Sequence, residues 1–401
     1  MAVLFINSRS KITEEEKSVS KKPDLYKQDG VDIAAGDVFS AFAGKLCQKT
    51  YRRSPFVEVK DLSRGNFRGP RGFSLKNLPK GCILTGGMDG IGTKVTIIDS
   101  VGEFQTAASN LLAMTGMDIT RWGGLPLVFL NILDVRTLGE VNSATFAACK
   151  DIMTGLFQDA IANGFVVLGG ETAELGLCVG SENPDARVMF NWGGCMIGVY
   201  HPDKMILGDT LRPGQKIIAL ADDFRSNGIS SVRKALAIKY GARWWSNKEA
   251  VYDMLAASSA SKLYDRFLNH LHGWDNKKEE FKPIIPMHLI VHLSGGAFES
   301  KLGNDMLKSL GLSAHLPDLF KPPEIMKKCA EWRGMSARDC YKTWNGGQGA
   351  IVVVDDHNFR EFMYLAALKN IKAKVAGEIT KKKKHTVVIK SQFGDGEIIK
   401  Y

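Results

Sequence analysis

Apolar residues along this chain fall into short runs and into stripes of helical spacing. Pro126 to Leu133 is nearly continuously apolar, and Cys82 to Thr85, Phe165 to Leu168, Lys216 to Ala221, Met287 to Leu293 and Gly349 to Val354 are shorter runs of the same kind. Runs of this length predict strands, and one with no polar alternation predicts a strand covered on both faces. Between them Phe146, Cys149, Met153, Leu156 and Ala160 recur at spacings of three and four, the stripe of an amphipathic helix. Phe104 to Thr120, Ser230 to Lys239 and Asn358 to Lys369 also read as helices. Strands alternating with helices predict an α/β fold.

A chain of 401 residues exceeds the size at which one core keeps growing, which predicts two domains. The break falls near His201-Pro202, after which the turn Leu211 to Gly214 opens a fresh strand. The expected division is a flexible leader over 1–23, a first domain over 24–201 and a second over 202–401. Trp244 to Lys282 and Leu316 to Arg338 are less regular and read as insertions or lids.

Composition narrows the class. An apolar fraction of 44% and a charged fraction of 24% are those of a soluble globular protein. No apolar run is long enough to span a membrane, and no signal-peptide pattern opens the chain. The seven cysteines are scattered without a C-x-x-C pair, which predicts a reducing compartment, the cytoplasm. The net charge of +10 raises the question of nucleic acid. The one dense basic run, Lys381 to Lys384, lies between the β-like runs Val375 to Ile379 and Thr386 to Ile389. That arrangement predicts a hairpin with a solvated tip, and no nucleic-acid or membrane partner is expected.

Candidate chemistry sits where strands end. Asp89-Gly90-Ile91-Gly92-Thr93-Lys94 follows the first run. Its glycines let backbone approach a ligand, Asp89 offers hard oxygens and Lys94 a charge for phosphate. The segment is not a P-loop, and no P-loop occurs elsewhere. Gly169-Gly170-Glu171-Thr172-Ala173-Glu174 follows another strand in the same way, so Glu171 is placed to face a crevice at a sheet's carboxyl end. Asp118 is a third carboxylate, on a helix with mostly apolar surroundings. A triphosphate site without a P-loop needs another source of positive charge, and Mg2+ held by carboxylates is the usual one. Asp89, Asp118 and Glu171 are the candidate metal ligands.

Three later segments have the form of ligand loops. Ser226-Asn227-Gly228 precedes a helix, where free amides favour anions. Ser294-Gly295-Gly296 follows the strand ending at His292-Leu293, and Thr343-Trp344-Asn345-Gly346 precedes the strand from Ala350. Each also fits an ordinary tight turn. No G-x-S-x-G and no His-Glu-x-x-His motif occurs, and His292 in its apolar strand reads as a core residue.

In this order the segments resemble the aminoimidazole ribonucleotide synthetase (phosphoribosylformylglycinamidine cyclo-ligase) family. The similarity begins at Tyr26-Lys27 and Gly30-Val31-Asp32-Ile33 and continues through Asp89 to Lys94, Gly169 to Glu174, and Ser226 to Gly228 with Val232-Arg233-Lys234. It ends with His292 to Phe298 and Tyr341 to Gly346, so it spans nearly the whole chain from about Tyr26. Thiamine-monophosphate kinase, selenophosphate synthetase and the hydrogenase-maturation dehydratase share the superfamily fold. The resemblance implies two α/β domains and a homodimer whose amino-terminal sheets pair into a shared β-barrel. It implies ATP and Mg2+ as cofactors, with Lys27, Asp89, Gly90, Gly92, Thr93, Lys94, Asp118, Gly169, Gly170 and Glu171 toward ATP. Ser226, Asn227, Gly228, Gly295, Gly296, Thr343 and Asn345 are implied toward a ribonucleotide substrate, and Gly65 to Gly72 as a mobile cover. The implied reaction is activation of the formyl oxygen of formylglycinamidine ribonucleotide by ATP, followed by ring closure.

This chain departs from the family pattern at several points. Met117-Asp118 stands for Asn-Asp, Gly123-Gly124-Leu125-Pro126 for Gly-Ala-Glu-Pro, Asn131 for an aspartate, Arg225 for a histidine and Ala260-Ser261-Lys262 for Pro-Thr-Arg. Three alternatives stay open beside the cyclo-ligase: a paralogue that phosphorylates another small molecule, a nucleotide-binding regulator without chemistry, and a basic nucleic-acid binder.

Overall fold

The computed structural model describes residues 29–64, 69–274, 281–394 and 396–401. The expected leader, Tyr26, Lys27 and the 65–68 part of the expected cover lie outside these residues. In the first half, helix α1 (Ile33–Thr50) leads into a hairpin of β1 (Val57–Asp61) and β2 (Arg71–Leu75). Strands β3 (Ile83–Gly90), β4 (Leu125–Val135), β5 (Val166–Glu174) and β6 (Phe190–Tyr200) form an open sheet in the order β3-β6-β4-β5. Because β6 runs antiparallel to both β3 and β4, and β4 runs parallel to β5, the strands β3, β4 and β5 share one direction. Their carboxyl ends, and the glycine-rich segments on them, therefore lie at one end of the sheet.

Helices α2 (Lys94–Val101), α3 (Thr106–Thr120) and α4 (Ala144–Asn163) belong to the same half. Nearly every residue of α3 is buried, and the helix packs directly on strand backbone: a Cβ on Gly87 of β3 would fall 2.7 Å from the Thr115 carbonyl oxygen. Ser143 caps α4 by accepting the Phe146 N–H at 3.1 Å, and left-handed Gly164 ends it one residue before β5 prepares to start. The core here gathers Leu111, Leu112, Phe129, Leu133, Phe146, Ile152 and Trp192. On the opposite face, Phe56, Val57 and Trp274 cover Leu125, Val128 and Val199. Leu84, Met88 and Ile132 remain exposed, Met88 at 76%. The sheet is open within one chain, and the barrel implied by the resemblance would need the sheet of a second chain.

The second half is built on a seven-stranded sheet in the order β13-β12-β9-β11-β7-β10-β8. Its strands are β7 (Lys216–Ala221), β8 (Met287–His292), β9 (Leu312–Leu316), β10 (Gln348–Val354), β11 (Ala373–Lys381), β12 (Val387–Lys390) and β13 (Ile398–Lys400). All neighbours pair antiparallel except β12 with β9. Apolar clusters lie on both faces, which is why β8 and β10 read as continuous apolar runs. The helices are α5 (Ile229–Tyr240), α6 (Val251–Ala257), α7 (Asp265–His272), α8 (Glu324–Arg333), α9 (Ala337–Thr343) and α10 (Phe359–Leu368), with a π-helix over Phe298–Leu307.

Two expectations change. The stretches expected as insertions or lids carry α6, α7 and α8, and Met254, Ala257, Met326 and Cys329 are buried in one cluster with α5. Lys381 to Lys384 are exposed as expected, but β11 and β12 do not form a hairpin, because β9 lies between them. The halves also share core: Met117 of α3 packs with Ile218, Leu220 and Tyr264, and Ile97 of α2 with Phe224 and Val232. Among the described residues no helix is long and apolar enough to cross a membrane. All seven cysteines are free thiols.

Candidate functional site

Asp89 lies next to last in β3 and is exposed. Alternation along β3 sets it on the same face as Gly87, whose Cβ would stand 3.1 Å from the Asp118 Cβ on α3. The two carboxylates therefore share one cleft. Burial pushes the Asp118 carboxyl up; Arg121, 4.0 Å away, and Lys301 oppose this, and the charge of Asp89 adds to it. Lys301 comes from the π-helix of the second half, and its ammonium donates to Ser294 Oγ. Burial and the Arg121 charge push the Lys301 amine down, while Asp118 and Asp89 act in the other direction. His292 ends β8 fully enclosed, with Nε2 unpaired among the described residues. Burial, then the charges of Arg225, Lys301 and Arg121, hold it well below its usual pKa, so it is neutral. It is a core residue, as read from the sequence, but one at the edge of a charged cleft.

The glycine loops of both halves meet beside this cluster. A Cβ on Gly92 would lie 3.9 Å from the Ser226 carbonyl oxygen, and Thr93 Oγ1 is 3.4 Å from Ser230 Oγ. Gly228 caps α5 with a φ of +70°, and the Trp344 indole donates to its carbonyl at 3.1 Å. The Gly296 N–H donates to the Lys342 carbonyl at 2.7 Å, and a Cβ on Gly295 would stand 3.6 Å from that of Thr343. The segments around residues 92, 226–228, 295–296 and 343 thus converge on one interdomain cleft, with the amino end of α5 pointing into it. The Oδ1 of Asn227 is buried there without a partner among the described residues.

Several expected site residues have other positions. Lys94 is fully buried: its Nζ donates to Asn110 Oδ1 at 2.8 Å, Phe224 O at 2.5 Å and Ser259 O at 2.6 Å. It ties the two halves together, and its three donors are engaged within the protein. Glu171 pairs across the ladder with Ile132, whereas Asp89 aligns through Gly194 with Asn131 and Gly170. Adjacent strand positions point to opposite faces, so Glu171 lies with exposed Ile132 on the open side and not with Asp89. Gly169 and Gly170 are strand residues; a Cβ on Gly170 would meet the Asn131 side chain at 2.4 Å. Asn345 is buried, donating to Asp223 O at 2.8 Å and accepting from the Gly347 N–H at 3.2 Å. Among the described residues no group of three His, Cys, Asp or Glu is placed to hold a metal ion. Of the three expected carboxylates, Asp89 and Asp118 lie on one side of the sheet and Glu171 on the other. The pair Asp89 and Asp118 fits Mg2+, which takes one or two carboxylates and fills its shell with phosphates and water.

Three of the departures from the family pattern can be placed in the structure. Met117 is wholly buried in the shared core. Asn131 Oδ1 accepts from the Trp192 indole at 3.0 Å and its amide donates to Gly169 O at 3.3 Å; an aspartate has no donor for the second bond. Arg225 is buried against Asp222 at 2.7 Å and donates to the Ala113 carbonyl of α3 at 3.1 Å, a second tie between the halves. None of the three presents a group to the open cleft. Sequence reading missed Lys301 and Arg121, because a lysine inside a π-helix has no periodicity that announces its direction. A separate cavity of about 770 Å³, lined by Arg53, Phe56, Leu127, Arg266 and Trp274, lies at the amino-terminal ends of β4 and β5, away from these loops.

Fold and cleft together define a two-domain α/β protein with glycine-rich ligand loops contributed by both domains. Its sequence matches two family models: AIR synthase related protein, N-terminal domain, over residues 75–194, and AIR synthase related protein, C-terminal domain, over residues 212–390. The chain belongs to the AIR synthase related family. It is similar to the phosphoribosylformylglycinamidine cyclo-ligase of Geotalea uraniireducens, 28% identical with 90% of this chain and 97% of the relative covered. The enzyme of the same name from Pyrococcus furiosus is 26% identical over 85% of this chain and 90% of its own length. Solved structures with the same fold include E. coli HypE, a hydrogenase maturation protein, at a TM-score of 0.53 and 12% identity, covering 89% of this chain and 95% of that one. Thiamine-monophosphate kinase from Stenotrophomonas maltophilia has a TM-score of 0.51 at 14% identity, covering 82% of this chain and 90% of its own.

Proposed function

We propose that this chain is an ATP- and Mg2+-dependent cyclo-ligase of purine biosynthesis that converts formylglycinamidine ribonucleotide to aminoimidazole ribonucleotide, ADP and phosphate. The observation that carries the proposal is the meeting of Asp89 and Asp118 with the loops at residues 226–228, 295–296 and 343 in one interdomain cleft. Full-length similarity to cyclo-ligases supports the same reading. So does the burial of Met117, Asn131 and Arg225, which keeps these three substitutions out of the open cleft.

In this scheme Asp89 and Asp118 would hold Mg2+, which would supply charge neutralisation for the triphosphate. The free amides at the start of α5, with Ser226 and Asn227, take the ribonucleotide's phosphate. The γ-phosphoryl group passes to the formyl oxygen, an amidine nitrogen attacks the activated carbon, and the C–O bond to phosphate breaks as the ring closes. Such chemistry depends on positioning and charge stabilisation, and it requires no nucleophilic triad. We further propose a homodimer through the open sheet face, where Leu84, Met88 and Ile132 are exposed beside Glu171. The domain boundary near His201-Pro202 is supported by the change of sheet after Tyr200. The free thiols favour a cytoplasmic location. Incubating the chain with ATP, Mg2+ and formylglycinamidine ribonucleotide tests the proposal: one ADP should form per aminoimidazole ribonucleotide. ADP release without ring closure would point to the kinase-like paralogue instead.

A further inference from the structure

Lys301 comes from the second half of the chain yet lies near the carboxylates of the first. The π-helix that carries it is closed by bonds of the wider kind, Leu302 N–H to Ala297 O at 2.8 Å and Lys308 N–H to Gly303 O at 2.9 Å. π-Helical turns are rare and concentrate at functional sites. Phe298, Leu302 and Leu307 anchor this one in the core, leaving half-buried Lys301 on the cleft side. An ammonium has three N–H donors. Among the described residues one is used, on Ser294 Oγ, in the loop that continues into Gly295-Gly296. Asp118 and Asp89 are near enough to act on the Lys301 charge, yet neither lies within ion-pair distance of it among the described residues. Two donors are thus free in a gap with the metal-binding carboxylates on one side and the substrate loop on the other.

We infer that Lys301 contacts the phosphoryl group in transit from ATP and is a catalytic residue of the proposed reaction. Its place suits the charge that develops on the transferring oxygens between donor and acceptor, where a fixed cation lowers the barrier. The inference rests on the cyclo-ligase reading only in taking ATP as the donor. In the chemical step the bond from the γ-phosphorus to the bridging β,γ oxygen breaks and a bond to the formyl oxygen forms. Lys301 stays protonated throughout and gives up no proton.

The test compares binding of β,γ-methylene ATP and of ADP to the full chain with Mg2+, by calorimetry, in wild type, Lys301→Met and Lys301→Arg. Lys301→Met should weaken the triphosphate analogue by about tenfold or more and ADP by less than about twofold, a gap of ~1 kcal/mol or more. Lys301→Arg, which keeps the charge, should restore most of the preference, and it serves if the methionine variant folds poorly. Turnover of Lys301→Met should fall by roughly 10²-fold with little change in the ribonucleotide KM. Equal weakening of both nucleotides, or of neither, in a wild type that binds ATP overturns the role of Lys301 alone. A wild-type chain that binds neither nucleotide overturns the ATP reading and the inference with it.

Discussion

Lys94 is a charged group whose position follows from packing, not from the motif that contains it. Burial pushes its amine down to about 7, with Asp222 opposing and Arg225 adding, and its three hydrogen bonds reach both halves of the chain. Lys94→Met leaves Phe224 O unpaired, so stability should fall by about 2–3 kcal/mol in urea denaturation while nucleotide affinity changes little. An unchanged midpoint with lost affinity would return Lys94 to the phosphate. Asp265 is a second buried charge: it accepts from Thr120 Oγ1 at 2.6 Å and its Oδ2 has no partner among the described residues. Burial raises its carboxyl to about 6, above the unfolded value of about 3.9. The folded state therefore holds the proton more tightly, and this favourable contribution is complete below pH ~4 and lost as pH rises through about 6. Asp265→Asn should remove that slope and raise stability at pH ~7.5 by roughly 1–2 kcal/mol, measured as urea midpoints across the range. Asp89 stands out in the sequence by the glycines around it and Asp118 by its apolar helical surroundings, but neither signal places the two side by side. The direction of Lys94 depends on how the first turn of α2 packs between the halves, and that of Glu171 on strand alternation through residues that read as loop.

At the scale of elements, apolar runs located β4, β7, β8 and β10, because strands covered on both faces carry no competing polar pattern. The same reading ended β3 and β5 too early. Glycines that usually mark loops here continue strands, since α3 and the Asn131 side chain press on the sheet where a larger residue would not fit. The four-lysine segment was read as a hairpin because sequence neighbours often pair; parallel pairing of β12 with β9 has no local signature. One glycine has a sharper requirement. A Cβ on Gly228 would fall 2.6 Å from the Thr343 carbonyl oxygen, at a φ of +70°. Gly228→Ala should cost about 2–3 kcal/mol and loosen the contact of the 343–345 segment with α5, seen as faster amide exchange there. Unchanged exchange would show that the two loops are not coupled.

For the whole molecule, the number of domains followed from length, and the shared core of Met117 and Ile97 explains why the halves hold one cleft between them. A homodimer is implied by the family resemblance alone, and the open sheet face makes it testable. Met88→Glu places a charge at a position 76% exposed in one chain and should convert a dimer to monomers by sedimentation velocity. A wild type that sediments as a monomer at micromolar concentration would refute pairing through this face. The central claim concerns which oxygen ATP activates. With formylglycinamidine ribonucleotide labelled by oxygen-18 in the formyl group, the account predicts that the label appears in inorganic phosphate in step with aminoimidazole ribonucleotide. Unlabelled phosphate, or a phosphorylated substrate that accumulates without closing, would contradict it.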